Sequence, residues 1–419
     1  MTIKQQVLLG VKWVALANIL GQVMTLVSTV ILARLLSPDD FGVFAILMIF
    51  VGFLSMFVGM GTSAAIVHMD NASEKMLSSI FYFNVFIGVV LTLITFFSAT
   101  WISDFYNNKE LVALTQVTAL IFLINAFSSV QTNKLRKELN YAALAKANVL
   151  AAVLSGIIGI SLAFYGAGVW SLVAQVVSRG VYYNIYIWSA STWLPSLLFS
   201  FKALRQLWGF GFRIFLSAFL EMVFSRLDIL IVGKLFTPVT LGFYDQAKRL
   251  NEMITQFSAG SIMAVLFPVL SKVQKDLVRF QRIVIKVLGI ICLIVFFLLG
   301  IMYLISEELI VLLFTEKWLP SVAYFKILIL SGFAYPVSAL FVNILSSRGR
   351  SKEFLRLEIY KKILFSINLY VGFLWGIEGY LYGLVIMSIL GVSLNILFAS
   401  REIKLPFFVF LKPIIVQMT

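Results

Sequence analysis

The sequence predicts an all-α polytopic membrane protein of about twelve transmembrane helices, in two six-helix lobes around a central cavity. The composition and the long apolar runs predict a helical membrane protein, and an internal repeat predicts its division into two lobes. Of the 419 residues, 61% are hydrophobic and 12% are charged, and the mean hydropathy is +1.00. A chain of this composition cannot bury its apolar surface in a water-soluble fold. Several charge-free runs reach the roughly 20 residues that a helix needs to span the bilayer, and the alternating pattern of a β-barrel is absent.

The apolar runs give the predicted helices in chain order. They span residues 11–36, 41–67, 77–103, 111–133, 147–165, 168–190, 207–235, 242–268, 283–305, 318–346, 355–376 and 379–400. The first run is longer than a signal-peptide core and lacks a small-residue cleavage site, so we expect it to be retained as a helix.

The formal net charge of +14 would favour a nucleic-acid-binding protein if the chain were soluble. The predicted helices explain the charge differently. Most lysines and arginines fall in loops on the N-terminal side of the membrane, and the opposite loops are mainly acidic. The positive-inside rule then places both termini in the cytoplasm. We therefore expect a multi-pass protein with membrane lipids, and no nucleic acid, among its partners.

An internal repeat organises the chain. Residues 31–44, ILARLLSPDDFGVF, match residues 231–244, IVGKLFTPVTLGFY, with a proline and a glycine at corresponding positions of each copy. Six predicted helices precede the second copy, so both copies enter the membrane in the same direction and the repeat is parallel. The predicted domains are an N-terminal lobe at 1–190, a cytoplasmic interlobe linker at 191–206, a C-terminal lobe at 207–400 and a cytoplasmic or truncated tail at 401–419.

The eighth predicted helix carries a stripe of polar side chains. Asp245, Lys248, Arg249, Glu252 and Gln256 recur at intervals that place them on one helix face. Each charge turned towards lipid would cost roughly 2.5 to 3.5 kcal/mol near the bilayer centre. The stripe is therefore expected to face protein or water.

The seventh predicted helix adds Glu221, Arg226 and Asp228. We expect Asp228 to pair with Lys248 or Arg249, and Arg226 to pair with an acid of the eighth helix. Such charges either mark a pathway for substrate or ions, or neutralise one another and fix the packing of two helices. Glu221, near the middle of the membrane, is the candidate for a proton- or sodium-coupled switch.

The first predicted helix has a milder stripe of Asn18, Gln22, Thr25 and Thr29. Its partner in the repeat is the seventh helix, so the two polar faces are predicted to line opposite walls of one cavity. The alternative is that these residues only form hydrogen bonds between helices.

Enzyme and metal motifs are absent from the sequence. It has no phosphate-binding loop, no HExxH and no nucleophile elbow, which predicts a transporter that is not an enzyme and binds no ATP. The single cysteine, Cys292, excludes an intrachain disulfide and a cysteine-based metal centre. We expect no cofactor other than a coupling proton or sodium ion, and no metal site.

Three segments carry a resemblance to a known family: ARLLSPDDFGVFA (33–45), LDILIVGKLFTPVTLGFYDQAKRL (227–250) and FPVLSKVQKD (267–276). They resemble the polysaccharide transporter family of the multidrug/oligosaccharidyl-lipid/polysaccharide flippase superfamily, which includes Wzx-type and teichuronic-acid-type flippases. The resemblance implies export of undecaprenyl-diphosphate-linked oligosaccharide across the bacterial cytoplasmic (inner) membrane by alternating access. Members of the family often continue beyond LPFFVFLKPII (405–415), so this chain is truncated or naturally short.

The resemblance implies a cavity lined by the first, second, seventh and eighth helices, with cations that hold the diphosphate. The cations in the corresponding helices are Arg226, Lys248 and Arg249. The polar side chains expected to contact sugar are Asn18, Gln22, Thr25, Asn251 and Gln256. The acids expected to form charge pairs or couple an ion are Glu221, Asp228, Asp245 and Glu252.

Two other functions fit the same sequence. One is a cation-coupled small-molecule (drug) antiporter of the same superfamily, in which the acids bind the cation. The other is a non-transporting subunit of polysaccharide assembly, such as a polymerase or ligase component. For a flippase, the expected partners besides the lipid-linked oligosaccharide are polysaccharide polymerase and assembly proteins.

Overall fold

The computed structural model describes residues 3–58, 73–201, 204, 219, 227–274, 276–348 and 350–418. For residues 3–18, 256–265, 267–269, 271, 346, 351, 373 and 416–418 this description covers the backbone alone. Every regular element in these ranges is a helix, and none is a strand, which confirms the predicted all-α class.

Helices follow one another along the described part of the chain. They are α1 Ile3–Leu35, α2 Pro38–Ser55, α3 Glu74–Tyr106, α4 Leu111–Thr118, α5 Leu120–Lys137, α6 Tyr141–Phe164, α7 Val169–Ala190, α8 Pro238–Val273, α9 Leu277–Leu304, α10 Ser306–Phe314, α11 Pro320–Gly332, α12 Ala334–Ser347, α13 Ser351–Ile403 and α14 Phe407–Met418. Residues 227–235 are also helical and lead into the turn before α8.

Seven helices within the described ranges are long and apolar enough to cross a membrane. They are Pro38–Ser55, Glu74–Tyr106, Leu111–Lys137, Tyr141–Phe164, Leu277–Leu304, Pro320–Leu345 and Leu374–Ile403. The chain is therefore a multi-pass membrane protein, as predicted. Helix α8, at 36 residues, is long enough to span but carries the charged stripe in its first half.

Helix α13 is two antiparallel arms joined at Gly376. This residue has a φ of 77°, in the region that favours glycine, and interrupts the helical backbone. Across the bend, the amide nitrogen of Asn368 donates a 3.1 Å hydrogen bond to the carbonyl oxygen of Tyr380. The two arms correspond to the predicted helices at 355–376 and 379–400.

Helix α14 was not expected from the sequence, which predicted only a tail at 401–419. In the structure Phe410 of this helix is fully buried, and its ring lies 5.4 Å from the ring of Phe341 in α12. The end of the described chain is therefore part of the folded protein.

Two compact units make up the chain, Met1–Gly242 and Phe243–Thr419. In the first unit, α6 packs against α1 and α7. Gly156 of α6 permits the close approach, because a methyl group there would lie 2.6 Å from the Ser28 hydroxyl of α1. In the second unit, α14 packs on α9, and α13 packs on α11 and α12. The domain boundaries taken from the sequence stay a prediction.

The predicted interlobe linker begins as an extended segment at residues 191–200 and is docked within the first unit. Trp193 is buried in a cluster with side chains from α3. The backbone N–H groups of Ser196 and Ser200 donate to the hydroxyls of Ser78 and Ser79, at 3.0 and 2.8 Å. These bonds fix the course of the linker along the start of α3.

Candidate functional site

The two copies of the repeat fold into the same local structure. Ser37 caps α2, since its hydroxyl accepts from the N–H of Asp40 at 3.2 Å, and Pro38 follows at the first helical position. Thr237 caps α8 in the same way, accepting from the N–H of Thr240 at 3.2 Å. Proline suits this position because its missing N–H would have no partner within the helix.

The glycines of the repeat bring the starts of these two helices into direct contact. A methyl group built on Gly42 would lie 1.7 Å from the carbonyl oxygen of Pro238. One built on Gly242 would lie 1.9 Å from the carbonyl oxygen of Pro38. The proline turn of each copy thus packs against the glycine of the other copy. Any side chain at Gly42 or Gly242 would push the starts of α2 and α8 apart. We call this contact the glycine crossing.

Nearby side chains fix the segment that enters the turn before α8. Lys234 donates to the carbonyl oxygen of Phe105 at the end of α3, and its ammonium lies 4.3 Å from the centre of the Phe105 ring. The hydroxyl of Tyr106 donates to the carbonyl oxygen of Leu230 at 3.4 Å. The glycine crossing is therefore supported on one side by α3.

The charged stripe of α8 contains two ion pairs along the helix. Arg249 donates through Nε to Oδ2 of Asp245 at 2.5 Å, and Nζ of Lys248 lies 3.9 Å from Oε1 of Glu252. Both pairs join residues four apart, the spacing that places side chains on one helix face. Lys248 also lies over the ring of Tyr244, 5.9 Å from its centre.

The two partners of the Arg249–Asp245 pair differ in exposure. The Asp245 side chain is 4% exposed and the Arg249 side chain is 44% exposed. At 1.5 Å per residue, Arg249 lies about 16 Å along α8 from the start of this helix at Pro238. A buried carboxylate thus holds an exposed guanidinium about three turns into α8.

The guanidinium of Arg249 keeps most of its hydrogen-bonding capacity. Its bond to Asp245 uses Nε, and within the described part of the chain the two Nη groups meet no acceptor. An arginine anchored through Nε presents four remaining N–H donors in one plane, which matches the oxygens of a phosphate group.

The other charged residues predicted for this region are only partly described. Asp228 is buried, at 3% exposure. Glu221 and Arg226 lie outside the described residues. The pairings predicted between the seventh and eighth helices therefore stay a prediction.

The described side chains of the α1 polar stripe differ in exposure, and Thr29 is half-buried. Gln22 and Thr25 are exposed, and the Thr25 hydroxyl donates to the carbonyl oxygen of Gly21 at 2.8 Å within the same helix. By contrast Ser28, which packs against α6, is buried. The side chain of Asn18 lies outside the described part of the helix.

The amide groups of α8 have different surroundings. The Oδ1 atom of Asn251 is buried and has no hydrogen-bond partner among the described residues. This atom packs close to Gly332 of α11, since a methyl group built on that glycine would lie 3.0 Å from it. Its amide oxygen therefore faces the interior of the second unit. Gln246, which the sequence analysis did not single out, is also buried, and within the described ranges its Oε1 atom accepts no hydrogen bond. The side chain of Gln256 lies outside the description.

No group of three histidine, cysteine, aspartate or glutamate side chains within the described ranges could hold a metal ion. The stripe of α8 carries charge of both signs, and two carboxylates hold two cations on the same helix. This arrangement suits reversible binding of an anionic group, because phosphate oxygens can replace or add to the carboxylates as acceptors.

The fold and these polar helix faces define a class, the multi-pass helical transporters built from two parallel repeats. A family model described as polysaccharide biosynthesis protein matches residues 31–323. The chain belongs to this family, the polysaccharide transporters of the multidrug/oligosaccharidyl-lipid/polysaccharide flippase superfamily.

Named relatives agree with this assignment. The chain is 28% identical to an uncharacterized membrane protein in the cps region of Klebsiella pneumoniae, over 96% of this chain and 84% of the relative. It is 23% identical to the teichuronic acid biosynthesis protein TuaB of Bacillus subtilis, over 84% and 73% of the two chains. It is 22% identical to the lipopolysaccharide biosynthesis protein WzxC of Escherichia coli, over 99% and 83%.

Solved structures show the same fold. The lipid II flippase MurJ, in an inward closed conformation, superposes with a TM-score of 0.73 at 16% identity, over 96% of this chain and 90% of that chain. An inward-facing transporter of the multidrug resistance MATE family superposes with a TM-score of 0.71 at 16% identity, over 92% and 94%. The predicted fold and family are therefore confirmed.

Proposed function

We propose that this protein is a flippase that moves a polyprenyl-diphosphate-linked oligosaccharide from the inner to the outer leaflet of the bacterial cytoplasmic membrane. The family and its named relatives support transport in polysaccharide biosynthesis. The observation that carries the proposal is Arg249, an exposed guanidinium of the predicted eighth span that a buried carboxylate holds by Nε alone. A lipid-linked diphosphate must carry its charge through the span, and a cation there can bind it on the way.

In this mechanism Arg249 and Lys248, with Arg226, bind the diphosphate, and the exposed polar face of α1 contacts the sugars. Arg249 can bind phosphate oxygens through its two Nη groups while Nε stays on Asp245, whereas Lys248 shares its charge with Glu252. A proton or sodium ion that neutralises Glu252 would remove one partner of Lys248, which couples diphosphate binding to that ion. An inside-negative potential also favours outward movement of an anion, by about 2.3 kcal/mol per charge per 100 mV.

The glycine crossing supplies the closed side of an alternating-access cycle. With both termini in the cytoplasm, the starts of α2 and α8 lie at the outer face, where Gly42 and Gly242 pack closely against the proline of the other turn. Separation of the two turns would open the outer side.

The experiment that tests the function uses purified protein in liposomes that contain a labelled lipid-linked oligosaccharide. The unmodified protein is expected to expose the label on the opposite leaflet, and the double charge reversal Lys248→Glu with Arg249→Glu is expected to abolish this exposure. A matched control is Arg282→Glu with Lys286→Glu, which reverses two exposed cations of α9. We expect this control to flip at the unmodified rate.

The same assay separates the alternatives. A cation antiporter would not flip the glycan lipid, and would keep its cation exchange after the charge reversal. A non-transporting assembly subunit would flip nothing even when unmodified. Absence of flipping by the unmodified protein would overturn the proposed function.

A further inference from the structure

A second cationic feature lies in the second unit, at the end of α13 opposite Gly376. The open ends of its two arms border a cavity of about 590 Å³. Its cations are Arg350, Lys352, Arg356 and Arg401, and two carboxylates, Glu353 and Glu402, accompany them. We call this cavity the basic pocket. It shares no residue with the stripe of α8.

One carboxylate organises the wall of the basic pocket. Each oxygen of Glu402 accepts from one guanidinium, at 2.7 Å from Nε of Arg348 and 2.7 Å from Nε of Arg350. Arg348 also donates through Nη1 to the carbonyl oxygen of Gln274 at 2.8 Å, which ties this corner to the connection before α9. Since one carboxylate, 11% exposed, serves two arginines, positive charge remains in excess.

The other cations of the basic pocket are exposed. Arg356 pairs with Glu353 at 3.2 Å on the surface, where such a pair holds the side chain only weakly. Lys352 and Arg401 form no ion pair with any residue that the structure describes, and both are exposed. The basic pocket therefore presents several cations to an anion from outside.

The surroundings of the basic pocket are apolar on one side. Leu345 and Phe398 contribute to its lining. Leu355, between two pocket residues, and Ile359, about one turn beyond Arg356, are 61% and 50% exposed, as expected of a helix surface in contact with lipid. The pocket thus lies where a membrane-spanning surface meets a cationic end, on the face that the positive-inside rule assigns to the cytoplasm.

We propose that the basic pocket binds the phosphate headgroup of an anionic membrane lipid. Arginine and lysine side chains donate charge-assisted hydrogen bonds to phosphate oxygens, and basic pockets at the ends of transmembrane helices suit anionic headgroups. The apolar lining and the adjacent exposed leucine and isoleucine accommodate the first part of the acyl chains. The lipid acts as a structural ligand that holds the two arms of α13 together at their open ends, and it is distinct from the transported molecule.

The test is lipid-dependent thermal stability of the full-length protein in a neutral detergent. Phosphatidylglycerol is titrated into the purified protein, with phosphatidylcholine as the zwitterionic comparison. The pocket variant is Lys352→Gln with Arg356→Gln and Arg401→Gln, which keeps the Arg348–Glu402–Arg350 contacts intact. The matched control is Lys272→Gln with Arg279→Gln and Arg282→Gln, which removes three exposed cations of the same unit outside the pocket.

We expect phosphatidylglycerol to raise the melting temperature of the unmodified protein and of the control, and phosphatidylcholine to raise neither. Each cation near an anionic lipid surface contributes roughly a fivefold change in affinity, so the pocket variant should need about a hundredfold more phosphatidylglycerol for the same shift. Native mass spectrometry of the same samples should show bound phosphatidylglycerol on the control and its loss from the pocket variant.

Several outcomes would overturn the proposal. Equal loss of the shift in the pocket variant and in the control would show that general surface charge attracts the lipid. An equal rise in melting temperature with inorganic phosphate alone would show that the basic pocket binds phosphate and does not require a lipid. A shift that requires a polyprenyl diphosphate and is absent with phosphatidylglycerol would assign the basic pocket to the transported molecule. A defect in flipping by the stripe variants alone would leave this proposal unaffected.

Discussion

Replacement of Gly42 by alanine is expected to open the glycine crossing. The added methyl carbon would lie 1.7 Å from the carbonyl oxygen of Pro238. Carbon and oxygen atoms approach to about 3.3 Å, so the two helix starts must move apart by roughly 1.5 Å. Overpacking of this kind costs about 1 to 3 kcal/mol. That energy shifts the equilibrium between closed and open forms by a factor of about 5 to 150.

The assay measures the distance between spin labels on cysteines at Asp39 and Val239, two exposed positions next to the crossing. The background carries Cys292→Ser, which removes the single native cysteine. We expect Gly42→Ala to move the distance distribution to longer values. Gly289→Ala in α9 is the control, because nothing lies within 4 Å of a methyl group there. An unchanged distribution in Gly42→Ala would refute the role of the crossing as a closed contact.

Two further substitutions test local parts of the fold by thermal unfolding. Burial, and next the charges of Asp40 and Asp39, raise the pKa of Glu110. The folded protein therefore binds the proton of the Glu110 carboxyl more tightly than the unfolded chain does, and ionisation of Glu110 lowers the stability of the fold as pH rises. Glu110→Gln should therefore raise the melting temperature at about pH 7 but not at about pH 4, and an equal gain at both would contradict the pKa shift. Asn368→Ala should lower stability by about 0.5 to 1.5 kcal/mol, because it removes the hydrogen bond that joins the two arms of α13 across the bend, and no loss would show that this bond is dispensable.

The sequence predicted the helices well because their signals are local. Apolar runs, the capped turns after Ser37 and Thr237, and the glycine at the bend of α13 all act within a few residues. The stripe of α8 was predictable for the same reason, since residues four apart on a helix must share a face. The ion pairs of the stripe lie within α8 itself. Residues four apart on one helix can form such pairs.

Features that depend on distant parts of the chain were not predictable. The sequence shows that Gly42 and Gly242 correspond, but not that each supports the proline turn of the other copy, since this contact joins segments 200 positions apart. The position of α14 depends on its packing against α9 and on the contact of Phe410 with Phe341 of α12. A local sequence pattern does not predict such contacts. The burial of the Asn251 amide oxygen against Gly332 likewise required the packing of α8 on α11.

The central claim is that the charged stripe of α8 faces a water-filled pathway and not lipid. It is tested most directly with Arg249→Cys in the Cys292→Ser background, treated with a membrane-impermeant charged thiol reagent in sealed vesicles of defined orientation. Phe297→Cys in α9, at a side chain that is 69% exposed within the apolar span, is the lipid-facing comparison. The account predicts rapid labelling at position 249 that lipid-linked oligosaccharide slows, and none at position 297. Failure of the reagent to reach position 249 from either side of the membrane would contradict it.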